Sequence, residues 1–419
     1  MRATGRRLAL MLIILVLGLL QVSHTGHIPA VDIREALPAV PLRAASSEDA
    51  SPAAEGDLSE RMVLDWAQVE EDEFNFLLSL QDENGIISQT PEHLLSIPYF
   101  SNLAAMALLG DPRGHLPVRR YMDWYIAHLN RPDKYNLSGT MYDWKKVDGE
   151  WVATYSYDSA DSYAATFLSL ALHYSRETQD FAWAKENLES LLEVAGVLLE
   201  LQDSDGLIWA KPRYYVKFLM DNAENYRGLR DAAELMRYVE REDLAGVFDT
   251  AAGRVAIGIE RHLWLPDRQV YAWALYGRWW ARAPQEKWYP DTVSQIYPVI
   301  FGVIKPDSPR AASLYSYLNS RYPAWSTGQF DDDFPWTVVS FMAALMQDDA
   351  RAAEHLNHVH AENTARNRSY PWHSFESAFF VKAWRKMSQR DVAEGRRSAT
   401  STLSRPNCMA QEQPRSQSP

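Results

Sequence analysis

The chain has 419 residues, 47% of them hydrophobic and 23% charged, a balance that fits a large folded core and excludes a disordered protein. Its net charge is −13, from 42 Lys and Arg against 55 Asp and Glu, and so acidic a surface repels phosphate backbones, so no nucleic-acid partner is expected. The single cysteine, Cys408, leaves no intrachain disulfide and no thiolate set for zinc.

At the N-terminus, Arg2, Arg6 and Arg7 precede an apolar run from Leu8 to Leu20. Basic then apolar is the pattern of an export signal. The run is shorter than the ~20 residues that span a bilayer comfortably. Gln21-Val22-Ser23-His24-Thr25-Gly26 carries no clean cleavage site. A cleaved signal over residues 1–26 and a membrane anchor through residues 8–20 both stay open. Either implies export, to the secreted or periplasmic space or to the outer face of the plasma membrane. Residues 27–57, rich in Ala, Pro, Ser and acids, read as a flexible linker. Residues 390–419, rich in Ser, Arg, Gln and Pro, read as a disordered tail. The folded body is 58–389.

Strand signals in the body are weak and helical ones plentiful. Met62, Trp66, Val69, Phe74, Phe76, Leu77 and Leu80 recur at three and four spacing and predict a helix over 60–81. Further helices are predicted over 98–109, 117–130, 159–175, 181–202, 218–239, 243–262, 290–304, 308–320, 334–347, 350–366 and 373–387, about twelve in all. Trp279-Trp280, beside Tyr276 and Arg278, fall in a β-like loop between two of them. An internal echo runs through the series. Leu78-Ser79-Leu80-Gln81-Asp82-Glu83-Asn84-Gly85-Ile86-Ile87 matches Leu199-Glu200-Leu201-Gln202-Asp203-Ser204-Asp205-Gly206-Leu207-Ile208. In each copy a glycine suited to the left-handed conformation ends an amphipathic helix, and an apolar pair starts an extended segment.

The helices alternate in character. The first of a pair is charged on its outside, as in 181–202. The second is apolar nearly all round, as in Ala164-Ala165-Thr166-Phe167-Leu168-Ser169-Leu170-Ala171-Leu172, and a helix of that kind must be buried. Six buried helices ringed by six outer ones make an all-α, (α/α)6 toroid. With its Leu-Gln-Asp turns and the aromatic–acid segments ahead of its inner helices, the body resembles the six-hairpin glycosidase superfamily over nearly all of 58–389. The resemblance implies a carbohydrate-active protein working as a monomer. It assigns no catalytic residue, because no one family's motif is matched. The superfamily also holds polysaccharide lyases and epimerases.

In such a toroid the segments leading into the inner helices gather at one mouth. They carry Tyr155, Tyr157, Asp158 and Asp161 before 159–175, and Trp209, Tyr214, Lys217, Asp221, Glu224 and Asn225 around the start of 218–239. Asp291 and Gln295 open 290–304, Asp332 and Trp336 open 334–347, and Trp372, His373 and Glu376 open 373–387. Tyr and Trp faces can stack on sugar rings, while Asp, Asn and Gln bond their hydroxyls. Two carboxyl groups cleave a glycosidic bond, one protonated and one ionised, standing ~6.5–9.5 Å apart in an inverting enzyme. Asp221 lies among Phe218-Leu219-Met220 and Ala223, where burial would raise its pKa. Asp221 and Asp158 are the leading acid–base pair, with Asp161 and Glu224 beside them and Asp332 and Glu376 in reserve. Plainer readings stand next to these. Asp158, Asp161 and Asp333 suit helix starts, and Glu224 could pair with Arg227 or Arg230 along its helix. His355, His358 and His360 read as a solvated outer face. Zinc, phosphate-loop and GxSxG signatures are missing, so no cofactor or metal is expected.

The sequence thus favours hydrolysis of a poly- or oligosaccharide by two carboxylates. A lyase or epimerase acting on uronates, with a base among Tyr214, Tyr215, Lys217 and His373, is one alternative. A non-catalytic binding or assembly protein of a polysaccharide export system is the other.

Overall fold

A computed structural model describes residues 66–402. The expected signal segment and linker lie outside the described residues, as does Cys408. Among the described residues no helix is long and apolar enough to cross a membrane.

The two Leu-Gln-Asp turns form alike. Gly85 and Gly206 sit at φ +94° and +92°, a region that glycine enters without steric cost. In each turn the glutamine pairs with the residue six further on, Gln81 with Ile87 and Gln202 with Ile208. Gln81 Nε2 donates to the Gly85 carbonyl (2.9 Å) and to that of Pro117 (2.8 Å). Gln202 Nε2 donates to Gly206 and to Ala251, both at 2.9 Å. Each turn therefore ties one outer helix to the next.

The chain runs through outer helix α1 (Trp66–Ser79), inner α2 (Pro98–Leu108), outer α3 (His115–Ala127) and inner α4 (Ala160–Thr178). Short α5 (Phe181–Glu186) and outer α6 (Leu188–Leu201) follow, then inner α7 (Leu219–Tyr238) and outer α8 (Glu242–Gly258). The fourth inner segment, 288–300, ends in α9 (Tyr297–Ile300). Outer α10 (Pro309–Arg321), inner α11 (Val338–Leu345), outer α12 (Asp349–Ala365) and inner α13 (Ser374–Thr402) complete the series. The inner helices pack in a closed circuit: α2 on α4, α4 on α7, α7 on α9, α9 on α11, α11 on α13, and α13 back on α2. A Cβ on Gly228 of α7 would lie 2.5 Å from the Ala165 Cα of α4, so a glycine there permits the close approach of the two. The ends of the ring are also tied by polar contacts. Arg385 Nε and Ser377 Oγ on α13 donate to Glu70 (2.6 Å) and Glu73 (2.8 Å) on α1.

Small antiparallel sheets sit on the segments ahead of the inner helices. Strands β1 (Leu95–Ser96), β2 (Trp144–Val147) and β3 (Glu150–Ala153) form one, in that order. Strands β5 (Trp264–Leu265) and β6 (Val270–Tyr271) form a hairpin. Strand β4 (Val216–Phe218) pairs with β7 (Ala274–Tyr276), which pairs with β8 (Trp280–Arg282). Trp280 thus opens a strand, as the sequence implied.

The all-α toroid holds, with local differences. The single helix expected over 290–304 is broken into a wide turn, a tight turn and α9, because Pro290 and Pro298 lack the N–H that a continuous helix uses. The helix expected from 334 begins at Val338, since Trp336 takes φ +55°. The helix expected over 181–202 breaks at Asn187. The last helix runs to Thr402, past the expected boundary at 389.

Candidate active site

Helix α7 carries Asp221 and Glu224 one turn apart near its start, Asp221 half-buried and Glu224 buried. Asp221 Oδ2 is 2.8 Å from Ser159 Oγ, and the same hydroxyl is 2.7 Å from Asp161 Oδ1. A serine has one proton to donate. Two carboxyls can share that oxygen only if one of them carries a proton and donates back. Burial, together with the charge of Asp158, pushes Asp221 up to about 7 against the pull of the Ser159 bond. Asp161 is fully buried and receives Asn225 Nδ2 (2.7 Å) and the Ser162 N–H (2.8 Å). Its pKa also rises, from burial first and then from the charge of Asp221.

Glu224 is buried and turned away from the arginines of its own helix. Arg227 pairs with Asp231, and Arg230 with Asp249. Instead the Tyr99 hydroxyl donates to Glu224 Oε1 at 2.6 Å, and burial, with the Asp221 charge, raises Glu224 to about 8. Glu376, at the start of α13, is buried at 1% exposure. It accepts the Thr337 N–H and hydroxyl, both at 2.8 Å, and burial lifts it to about 7.

These groups feel one another across the ring. The Tyr289 phenol is raised by desolvation and then by Asp221, Asp158, Asp332 and Glu224. Tyr297 is raised by burial and then by Glu224, with Glu376 adding to it. Asp332 raises Glu376 in turn. Hydrogen bonds and charge interactions therefore link the starts of all six inner segments. Tyr289 stacks on Trp336 at 5.0 Å and 28°, and Tyr155 is exposed. Asp158 has a side chain 82% exposed, with Lys211 Nζ at 3.7 Å from Oδ1. Lys211 also lies 5.2 Å over the half-buried Tyr214 ring. Asp332 accepts the Phe334 N–H at 2.9 Å.

Other residues expected to meet substrate are taken up by the framework, which corrects those expectations. Lys217 is fully buried between Asp203 (2.7 Å) and Asp205 (2.5 Å), 3.9 Å over the Trp209 ring, so neither Lys217 nor the covered face of Trp209 is free. Asp291 holds the backbone N–H groups of Gln285 and Lys287. Gln295 bridges the Tyr271 backbone, accepting from its N–H (2.8 Å) and donating to its carbonyl (3.0 Å). The Tyr157 hydroxyl donates to Asp133 (2.6 Å). Trp372 is fully buried. His373 accepts the Phe375 N–H at 3.2 Å, and burial depresses it to about 3. His355 is also buried, 2.7 Å from Ser340 Oγ, and so does not belong to a solvated face.

Sequence reasoning missed Asp143. It is buried, accepts the Tyr163 hydroxyl at 2.8 Å, and is pushed by burial to about 7. The one local signal was an acid between two aromatics, Tyr142-Asp143-Trp144. Among the described residues no cluster of His, Cys, Asp and Glu has the geometry to hold a metal.

Solved structures share this architecture. One described as a glycosidase is 12% identical, with a TM-score of 0.57, over 77% of this chain and 96% of its own. A rhamnosidase from Klebsiella oxytoca with rhamnose bound is 16% identical, with a TM-score of 0.55, over 75% and 64%. An alpha-amylase from Clostridium perfringens is 11% identical, with a TM-score of 0.51, over 76% and 97%. The chain has the helical-toroid fold of these glycosidases. No family model and no curated protein sequence matches it. The six-hairpin resemblance read from the Leu-Gln-Asp turns therefore holds at the level of fold.

Proposed function

We propose that the chain is a glycoside hydrolase that cleaves a poly- or oligosaccharide outside the plasma membrane. The observation that carries the reading is the pairing of unlike carboxyls at one mouth. Asp221 is half-buried and raised to about 7, and Asp158 beside it stands open to solvent. Environment separates two such groups into an acid and a base. Asp221 gives its proton to the leaving glycosidic oxygen as the C–O bond breaks. Asp158 takes a proton from the water that attacks the anomeric carbon, in an inverting displacement. Asp161, Ser159 and Asn225 hold Asp221 in place. Tyr289 and Tyr155, both exposed, offer ring faces to the sugar, and the buried Trp336, expected to meet substrate itself, backs the Tyr289 ring instead. That several structures of the same fold are described as glycosidases supports the reading. Elimination is less well served, because two of its four candidate bases, Lys217 and His373, are buried in framework contacts.

The test is to incubate the protein with a panel of polysaccharides and assay new reducing ends, alongside Asp221→Asn and Asp158→Asn. Release by the parent protein and its loss in both variants is expected. A folded parent that releases nothing overturns the reading, and product absorbance from an unsaturated uronate would replace it with a lyase.

A further inference from the structure

Strand β8 and the β5–β6 turn border an open depression of about 240 Å³ lined by Arg268, Trp280, Arg282 and Gln285, with Ala281, Ala283 and Pro284 between them. We propose that this depression is a second sugar site, taking a carboxylated pyranose such as a uronate from a polymer whose neighbouring residues reach the mouth. The proposal rests on the hydrolase reading and narrows its substrate to an acidic glycan.

Charge is the first observation. Arg282 lies over two rings, 5.5 Å from the Tyr276 centroid and 5.0 Å from that of Trp280. Their faces attract its guanidinium, yet neither it nor Arg268 makes an ion pair among the described residues. The next arginine along the hairpin behaves differently, since Arg278 grips Asp203 with both nitrogens at 2.7 and 2.8 Å. In a chain of net charge −13, two arginines facing a depression without an acid are donors awaiting an anion. A guanidinium fork matches a carboxylate.

Exposure is the second. Trp279 and Trp280 are 91% and 64% exposed, and hydrogen bonds tie down the hairpin that carries them. The Arg278 grip braces it, the Gly277 N–H donates to Tyr215 O at 2.8 Å, and the Trp273 N–H donates to Arg282 O at 3.0 Å. Wet indoles on a braced strand are the arrangement that stacks on a sugar face, at little entropic cost on binding.

Register supplies the third. Arg282 pairs with Ala274, which pairs with Phe218, the residue directly before α7. Two strand spacings, roughly 10 Å, thus separate Arg282 from the start of the helix that bears Asp221. From Arg282 the chain continues through Gln285, whose N–H is held by Asp291, to Tyr289 at the mouth.

The experiment is affinity electrophoresis of the full chain through gels containing polygalacturonate, dextran or dextran sulfate. Retardation by polygalacturonate alone is expected. It should weaken about tenfold in Arg282→Gln and further when Arg268→Gln is added, while Asp221→Asn keeps it. Equal retardation by dextran sulfate would mean a general polyanion surface and overturn the site. So would unchanged polygalacturonate retardation in the Arg268→Gln, Arg282→Gln double variant, or its absence in the parent. Reducing-end release that survives the double variant on neutral glycans leaves the hydrolase reading standing while this proposal fails. Retardation without release does the reverse.

Discussion

The two ends of helix α7 carry the same residue types in opposite circumstances. At its N-terminal end, Asp221 and Glu224 form no ion pair among the described residues, and hydroxyls such as those of Ser159 and Tyr99 bond them instead. At its C-terminal end, Asp231 is bound by Arg227 and Glu234 by Arg176, and Arg237 pairs with Asp249. The helix dipole favours anions at the first end by ~0.3–1 kcal/mol. Moving Asp221 from 3.8 to about 7 corresponds to about 4 kcal/mol, so desolvation outweighs the dipole. One end is built as framework. The other leaves its acids uncompensated, a cost that makes sense where a proton is to be delivered.

Matched substitutions at the two ends sharpen this contrast. Asp221→Asn should lower the hydrolytic rate by ~10²–10⁴-fold, with an unchanged circular dichroism spectrum. Asp231→Asn should leave that rate within a few fold but reduce denaturant stability by about 2 kcal/mol, since a buried acceptor loses its charge-assisted bonds to Arg227. Equal loss of activity in both variants would erase the distinction between the ends.

A second effect lies in the dependence of stability on pH. Asp143, Asp221, Glu224 and Glu376 are raised to between about 7 and 8 in the folded chain. Each keeps its proton through a range in which the unfolded chain has lost it. Their contribution to stability is therefore whole below about pH 4 and is lost as pH climbs through 7 to 8, by at most about 1.4 kcal/mol per pH unit for each group. Asp203 and Asp111, held low by arginine hydrogen bonds, act only below that window. The buried His355 and His373, held low by desolvation, make stability rise with pH up to the unfolded histidine value of ~6.5. Thermal melts from about pH 6.5 to 8 should therefore show the carboxyl decline, and a Glu224→Gln, Asp221→Asn double variant should flatten it. The rate should also fall above pH 7 as Asp221 ionises. Least of all, Arg237→Gln should leave the same melts nearly unmoved, because Arg237 stands in solvent where its pair with Asp249 is screened.

How much of this could be read in advance follows from how local each cause is. The Leu-Gln-Asp turns and the helices they end were legible because a left-handed glycine and its glutamine act within a few residues. Asp221 was legible because its apolar neighbours adjoin it in sequence. Glu224 was ambiguous, since a helix face offers it Arg227 and Arg230, and only the closed ring brings Tyr99 to it from 125 residues away. Lys217 read as a mouth cation because its partners, Asp203 and Asp205, meet it only when the turn folds over β4. Asp143 escaped notice for the same reason, its partner Tyr163 lying on the next inner helix.

The most direct measurement is a carbon-13 NMR titration of labelled side-chain carboxyls in the parent protein and in Asp221→Asn. The account requires a resonance that titrates near pH 7 in the parent and is missing from the variant. Should every aspartate and glutamate finish titrating below pH 5, the mouth would hold no proton to donate, and the acid–base assignment would be wrong.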